Sequence, residues 1–74
     1  MGAVPILSGK DVVRAFRSLG WSVARQRGSH VIMVKEGEIA TLSVPNHKEL
    51  APGTLRSLVR AANLTMEQFI GATE

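Results

Sequence analysis

The stretch WSVARQRGSHVIMVKEGEIATLSV, residues 21–44, decides the fold, because its pattern predicts three consecutive β-strands joined by short turns. Alternating apolar and polar residues predict a half-buried first strand over Trp21–Gln26. Apolar and β-branched residues predict a second strand over His30–Lys35 and a third over Ile39–Val44, which Pro45 stops. The links are too short for crossover connections, so we expect an antiparallel meander.

A helix is predicted on the N-terminal side of these strands, from about residue 9 to residue 19. Ser8 can cap its first turn, and Asp11 lies where a capping-box side chain reaches back to the cap. Gly20 is suited to end the helix in a left-handed conformation. The apolar face predicted for this helix consists of Val12, Phe16 and Leu19. We expect the aromatic residues Phe16 and Trp21 in the core, since so small a core would bury them.

Two further helices are predicted on the C-terminal side. Pro52 suits the first turn of one helix, and Asn63 can end it. Between them, apolar residues recur at helical spacing, at Leu55, Leu58, Val59 and Ala62. Thr65 and Gln68 have the spacing of a capping box, which predicts a short last helix to about Ile70.

This order of elements predicts an α+β fold, a two-layer α-β-β-β-α sandwich with a three-stranded antiparallel sheet and helices on one face. A chain of 74 residues makes one domain, which we expect over residues 6–70. Residues 1–5 have no pattern of their own and are expected to be a leader.

The composition excludes several classes of protein. There is no cysteine and there are only two histidines, too few for a zinc finger or a thiol-based site, so we expect neither metal nor cofactor. The longest apolar run, Val31–Val34, is far too short to span a membrane, and no secretory signal is visible. We therefore expect a cytoplasmic protein with no membrane partner.

Charge is unevenly distributed along the chain. Residues 1–35 contain six basic residues against one acidic residue, a net charge of +5, whereas residues 36–74 have a net charge of −2. A basic half in a chain with pI near 10.2 favours a polyanionic partner such as nucleic acid, although a solvated basic surface would have the same composition.

The best candidate for a catalytic site is the stretch Arg25–His30, where two arginines and a glycine turn precede a histidine. Histidine exchanges protons near neutral pH, and guanidinium groups hold phosphate oxygens, so the stretch suits chemistry on a phosphodiester. The residue types alone favour the simpler interpretation of His30 as a turn residue with a satisfied ring, and a tight turn alone explains Gly28 as well as a ligand does. His47 fits a surface loop. The candidate RNA-contacting residues are Lys10, Arg14, Arg17, Arg25, Arg27, Gly28 and Ser29.

Five motifs occur between about Ile6 and Thr65: Ser8-Gly9-Lys10, Gly20-Trp21, Arg25-Gln26-Arg27-Gly28-Ser29-His30, Val44-Pro45-Asn46-His47 and Pro52-Gly53-Thr54-Leu55-Arg56-Ser57-Leu58. The most specific of them are the Arg-Gln-x-Gly-Ser-His run and the Gly-Thr-Leu helix start. Together the five motifs resemble the HicA family, the small toxins of bacterial and archaeal toxin–antitoxin pairs.

The resemblance implies a double-stranded-RNA-binding-domain-like fold and an mRNA interferase, an endoribonuclease that cleaves transcripts. It implies that His30, the histidine of the Gly-Ser-His motif, is catalytic, and that a HicB-type antitoxin binds the toxin and covers its active site. A role for His47 stays open. The alternatives are a non-catalytic RNA-binding module of the same fold and a regulatory domain whose only ligand is another protein.

Overall fold

In the part of the chain that the structure describes, three strands and three helices follow one another in the predicted order. A computed structural model of the chain describes residues 4–74. The elements are α1 (Gly9–Ser18), β1 (Ser22–Arg27), β2 (His30–Val34), β3 (Leu42–Pro45), α2 (Pro52–Ala61) and α3 (Met66–Gly71). The sheet is antiparallel with strand order β1-β2-β3, which confirms the α+β fold class and the meander.

The N-terminal leader is described only in part. Met1, Gly2 and Ala3 lie outside the described residues, so the expectation of a leader there is not addressed. Val4, which falls within the same predicted segment, is half-buried and packs against the hydrophobic core.

Helix α1 begins and ends with the signals that the sequence contains. The Asp11 amide donates to the Ser8 hydroxyl at 3.1 Å, which is one half of the predicted capping box; the Asp11 carboxylate lies 3.7 Å from Arg14 instead. Gly20 takes a left-handed φ of 99°, and its amide donates to Arg17 while that of Trp21 donates to Phe16. These two bonds form a Schellman motif, so the chain leaves α1 directly towards β1.

The first and third predicted strands differ most from the observed ones, while the second ends at Val34 rather than Lys35. All six residues of β1 are exposed, so the expectation of a half-buried strand is wrong: the apolar Val23 is 44% exposed in an open groove beside α1. The third strand begins at Leu42 rather than Ile39, since the pairing of β2 with β3 ends at Met33 and Leu42 and does not extend to residues 39–41. Pro45 is the last residue of β3, a position on an edge strand that tolerates a missing N–H group.

The core lies between the helices and one face of the sheet. Phe16 is fully buried at its centre, with its ring centroid 6.3 Å from Trp21 and 5.0 Å from Phe69, which confirms the core placement of the first two aromatics. Helix α2 ends at Ala61, two residues before Asn63, whose φ of 61° is left-handed, and Thr65 and Gln68 form the predicted capping box of α3. The helices thus cover one face of the sheet and leave the other open to solvent.

Candidate active site

The register of β2 and β3 assigns their side chains to two faces, because directly paired residues of neighbouring strands point the same way. Met33 pairs with Leu42 and both are buried, so this row faces the helices. The alternate rows, Ile32 with Ser43 and His30 with Pro45, therefore face away from the helices. His30 is exposed and lies on this helix-free face at the start of β2.

A β-bulge in β1 determines where the two arginines point. Val23 pairs with Met33 on the helix side, but the register shifts before Arg25, which pairs with Ile32. A bulge inserts one extra residue and changes the phase of the side chains that follow. Arg25 and Arg27 consequently share the helix-free face with His30, and Arg27 is the direct cross-strand partner of His30.

The turn between β1 and β2 brings Arg27 and His30 together. Gly28 has φ 59° at the first position of a two-residue loop, the sign that a type II′ hairpin turn requires. The Gln26 side chain donates to the Gly28 carbonyl at 3.2 Å, and the Asn46 amide donates to the Ser29 carbonyl at 2.7 Å. The turn is therefore tied both to its own strand and to the chain that leaves β3.

Within residues 4–74, His30 has one side-chain hydrogen-bond partner. Its Nδ1 lies 2.8 Å from the Ser43 hydroxyl, across the β2–β3 pair. Nε2 is therefore the ring nitrogen that remains for a substrate at this exposed position. Sequence reasoning missed Ser43, because nothing local marks a serine in β3 as the neighbour of a histidine thirteen residues earlier.

The basic residues of α1 do not lie on the helix-free face with His30. They line a groove of about 700 Å³ between α1 and the helix side of β1, together with Val23, Gln26 and Asn46. The three basic residues of this groove are Lys10, Arg14 and Arg17. The predicted site residues thus form two separate groups, which we call the helix group (Lys10, Arg14 and Arg17) and the sheet group (Arg25, Arg27 and His30). Gly28 and Ser29 form the turn between Arg27 and His30.

The loop after β3 connects both groups. The backbone amide of Gly9, at the start of α1, donates to the His47 carbonyl at 2.8 Å, and the backbone amide of Asn46 donates to the Ser29 carbonyl. His47 itself is exposed in this loop. Among residues 4–74, no three His, Cys, Asp or Glu side chains come together as metal ligands.

Two comparisons with known proteins identify relatives of the chain. Residues 9–64 match the model of the family described as the HicA toxin of bacterial toxin–antitoxin. A solved structure titled "Toxin-Antitoxin complex from Streptococcus pneumoniae" contains a chain that is 32% identical, with a TM-score of 0.70; the match covers 78% of this chain and 98% of that one. No curated protein matches the chain. No helix of the described residues is both long and apolar enough to cross a membrane.

Proposed function

The chain belongs to the HicA toxin family, and from this premise we propose that it is an endoribonuclease that cleaves messenger RNA in the cytoplasm. The observation that carries the proposal is the sheet group. It combines an exposed imidazole, whose Nδ1 is engaged by Ser43, with two guanidinium groups on the same open face. An open face suits a polymer substrate, which a closed pocket would exclude.

The proposed reaction uses the RNA's own 2′-hydroxyl as nucleophile. Nε2 of His30 removes the 2′-proton, the 2′-oxygen attacks the adjacent phosphorus, and the bond from phosphorus to the 5′-oxygen breaks. The departing 5′-oxygen takes a proton from the imidazolium or from water. Arg25 and Arg27 bind the phosphate oxygens and stabilise the extra negative charge of the transition state. The products are a 2′,3′-cyclic phosphate and a 5′-hydroxyl.

A matched pair of histidine variants tests the catalytic assignment. We expect His30→Ala to fold normally, since the side chain is exposed, and to cleave a labelled RNA about 10²–10⁴-fold more slowly than the parent protein. His47→Ala, which removes the other histidine from an exposed loop, is the control and should retain most of the activity. Full activity in His30→Ala would refute the assignment.

We also propose that cleavage needs no divalent metal. The chain has no cysteine and only two histidines, and Asp11 is the only acidic residue before Glu36. A catalytic metal needs about three protein ligands, or carboxylates backed by substrate phosphates. Cleavage should therefore persist in excess EDTA, and an RNA with a 2′-deoxy residue at the cleaved position should resist. Loss of activity in EDTA, or cutting of the 2′-deoxy site, contradicts this mechanism.

A non-catalytic RNA-binding module is the second candidate, and the helix group is the observation that favours it. Lys10, Arg14 and Arg17 line a groove on the helix side of the sheet, the side opposite to His30, and this groove can bind a phosphate backbone without any chemistry. Salt-dependent binding of RNA that stays intact over long incubation would support this function instead.

The partner that we propose is a HicB-type antitoxin that covers the sheet group. Its support is that the 32%-identical chain comes from a toxin–antitoxin complex, and that a basic face attracts an acidic protein as readily as RNA. Hydrogen exchange of the complex should show protection around His30 and the β1–β2 turn. Protection confined to α2 and α3 would indicate inhibition from a distance.

A further inference from the structure

We infer that Ser43 is a positioning residue for His30. Its hydroxyl oxygen accepts a hydrogen bond from Nδ1–H, which keeps the Nε2 lone pair free and directed at the substrate. The inference rests on the proposed function and adds to it a residue that does not touch RNA. It starts from the 2.8 Å separation of Nδ1 and the Ser43 oxygen.

The sheet brings these two residues together. Ile32 pairs with Ser43, and His30 pairs with Pro45, so His30 and Ser43 are diagonal neighbours on the helix-free face. Ile32 is buried beside them although no helix covers this face. An imidazole on an exposed strand otherwise samples several rotamers, and the bond to Ser43 selects one of them.

The direction of the hydrogen bond follows from the chemistry. A serine hydroxyl can donate or accept, whereas a neutral imidazole carries one proton and one free lone pair. If Ser43 donates, the only basic nitrogen of His30 is Nδ1, which then points at the serine, and Nε2 faces the substrate as an N–H group. That arrangement cannot remove a proton from a 2′-hydroxyl.

If Nδ1–H donates to Ser43, the lone pair lies on Nε2 and faces solvent. When Nε2 takes up the substrate proton, Nδ1 keeps its own proton, so the bond to Ser43 persists through the proton transfer without any movement of the ring. The bond then also points the same way in the neutral and in the charged form of His30. Only this direction agrees with a general base at position 30.

The test compares three serine variants. Ser43→Ala removes the acceptor, Ser43→Thr keeps a hydroxyl on a β-branched side chain that suits a strand, and Ser22→Ala is a matched control on exposed β1. We expect Ser43→Ala to lower kcat by about 2- to 10-fold, the range for one ordinary hydrogen bond, with KM unchanged. Ser43→Thr should restore kcat, and Ser22→Ala should leave it unaltered.

A second measurement separates this inference from the proposed function. Two-bond ¹⁵N–¹H correlation spectra of the imidazole report which nitrogen of neutral His30 carries the proton, whether or not the protein cleaves RNA. We expect the Nδ1–H form to predominate in the parent protein and in Ser43→Thr, and to decline in Ser43→Ala. An Nε2–H form in the parent protein, or an unchanged tautomer in Ser43→Ala, overturns the inference, whereas absence of cleavage with the expected spectra overturns only the proposed function.

Discussion

Gly9 is the residue at which α1 meets the loop after β3. Its amide bonds the His47 carbonyl, and a Cβ atom built on Gly9 would lie 2.9 Å from the Cα of Asn46 and closer still to the carbonyl oxygen of Pro45. Because the obstructing atoms are backbone, no side-chain rotation can relieve the contact. In the same loop, the Asn46 backbone amide donates to the Ser29 carbonyl of the hairpin turn that precedes His30. Gly9 therefore supports this turn indirectly, through the loop.

Replacing Gly9 by alanine should therefore destabilise the protein. We expect Gly9→Ala to lower the free energy of unfolding by about 1–3 kcal/mol, the usual cost of overpacking, as measured by urea denaturation. Gly71→Ala is the control, because a Cβ there meets no atom within 4 Å and alanine is the better helix former. Equal free energies of unfolding for the two variants would contradict this expectation, because the loop after β3 would then accommodate the added Cβ atom without loss of stability.

At the scale of secondary structure, α2 differs from the other helices in its N-terminus. Ser8 and Thr65 each accept a hydrogen bond from the first turn of α1 and α3, but the N-cap residue of α2 is Ala51, whose side chain cannot do so. Pro52 at the first turn removes one N–H group that would otherwise need a partner. The first turn of α2 is thus not capped by a side chain, although the rest of the helix packs into the core.

A better cap should stabilise this helix. Ala51 is exposed with extended backbone angles, φ −61° and ψ 144°, which a capping serine also adopts. We expect Ala51→Ser to raise the free energy of unfolding by about 0.5–2 kcal/mol. Thr65→Ala, which removes a cap that α3 does have, should lower it by a similar amount. A melting temperature for Ala51→Ser at or below that of the parent protein would contradict the expectation.

At the scale of the whole molecule, positive charge is present on two sides of the edge strand β1. The helix group lies in the groove on one side, and the arginines of the sheet group lie with His30 on the other. The Arg14 guanidinium also lies 3.7 Å from Asp11, but both side chains are so exposed that this ion pair contributes little. A bound RNA strand can contact both groups only by passing around the edge of the sheet.

The two groups should have different effects on the reaction. Arg27→Gln removes a cation beside His30, so we expect lower kcat as well as weaker binding. Arg17→Gln removes a cation of the groove and should weaken binding with kcat unchanged. In a His30→Ala background, which keeps the RNA intact, each variant that loses a phosphate contact should reduce the slope of log affinity against log salt by about 0.7. A fall in kcat for Arg17→Gln equal to that for Arg27→Gln would contradict the separation.

The order of elements, the caps of α1 and α3, the ends of α1 and α2 and the aromatic core could all be predicted from the sequence. These features depend on residues within a turn or two of each other, such as Thr65 with Gln68 or Gly20 after α1. His30 could also be singled out, because its motif is contiguous in the chain.

The grouping of the site residues was decided only by the tertiary structure. Simple alternation would place Arg25 on the same side as Val23, and the bulge in β1 places it with His30 instead. The contact of His30 with Ser43 and that of Gly9 with the loop after β3 join residues far apart in sequence. Such contacts depend on strand register and on the packing of one backbone against another, and no local periodicity in the amino-acid sequence specifies either of them.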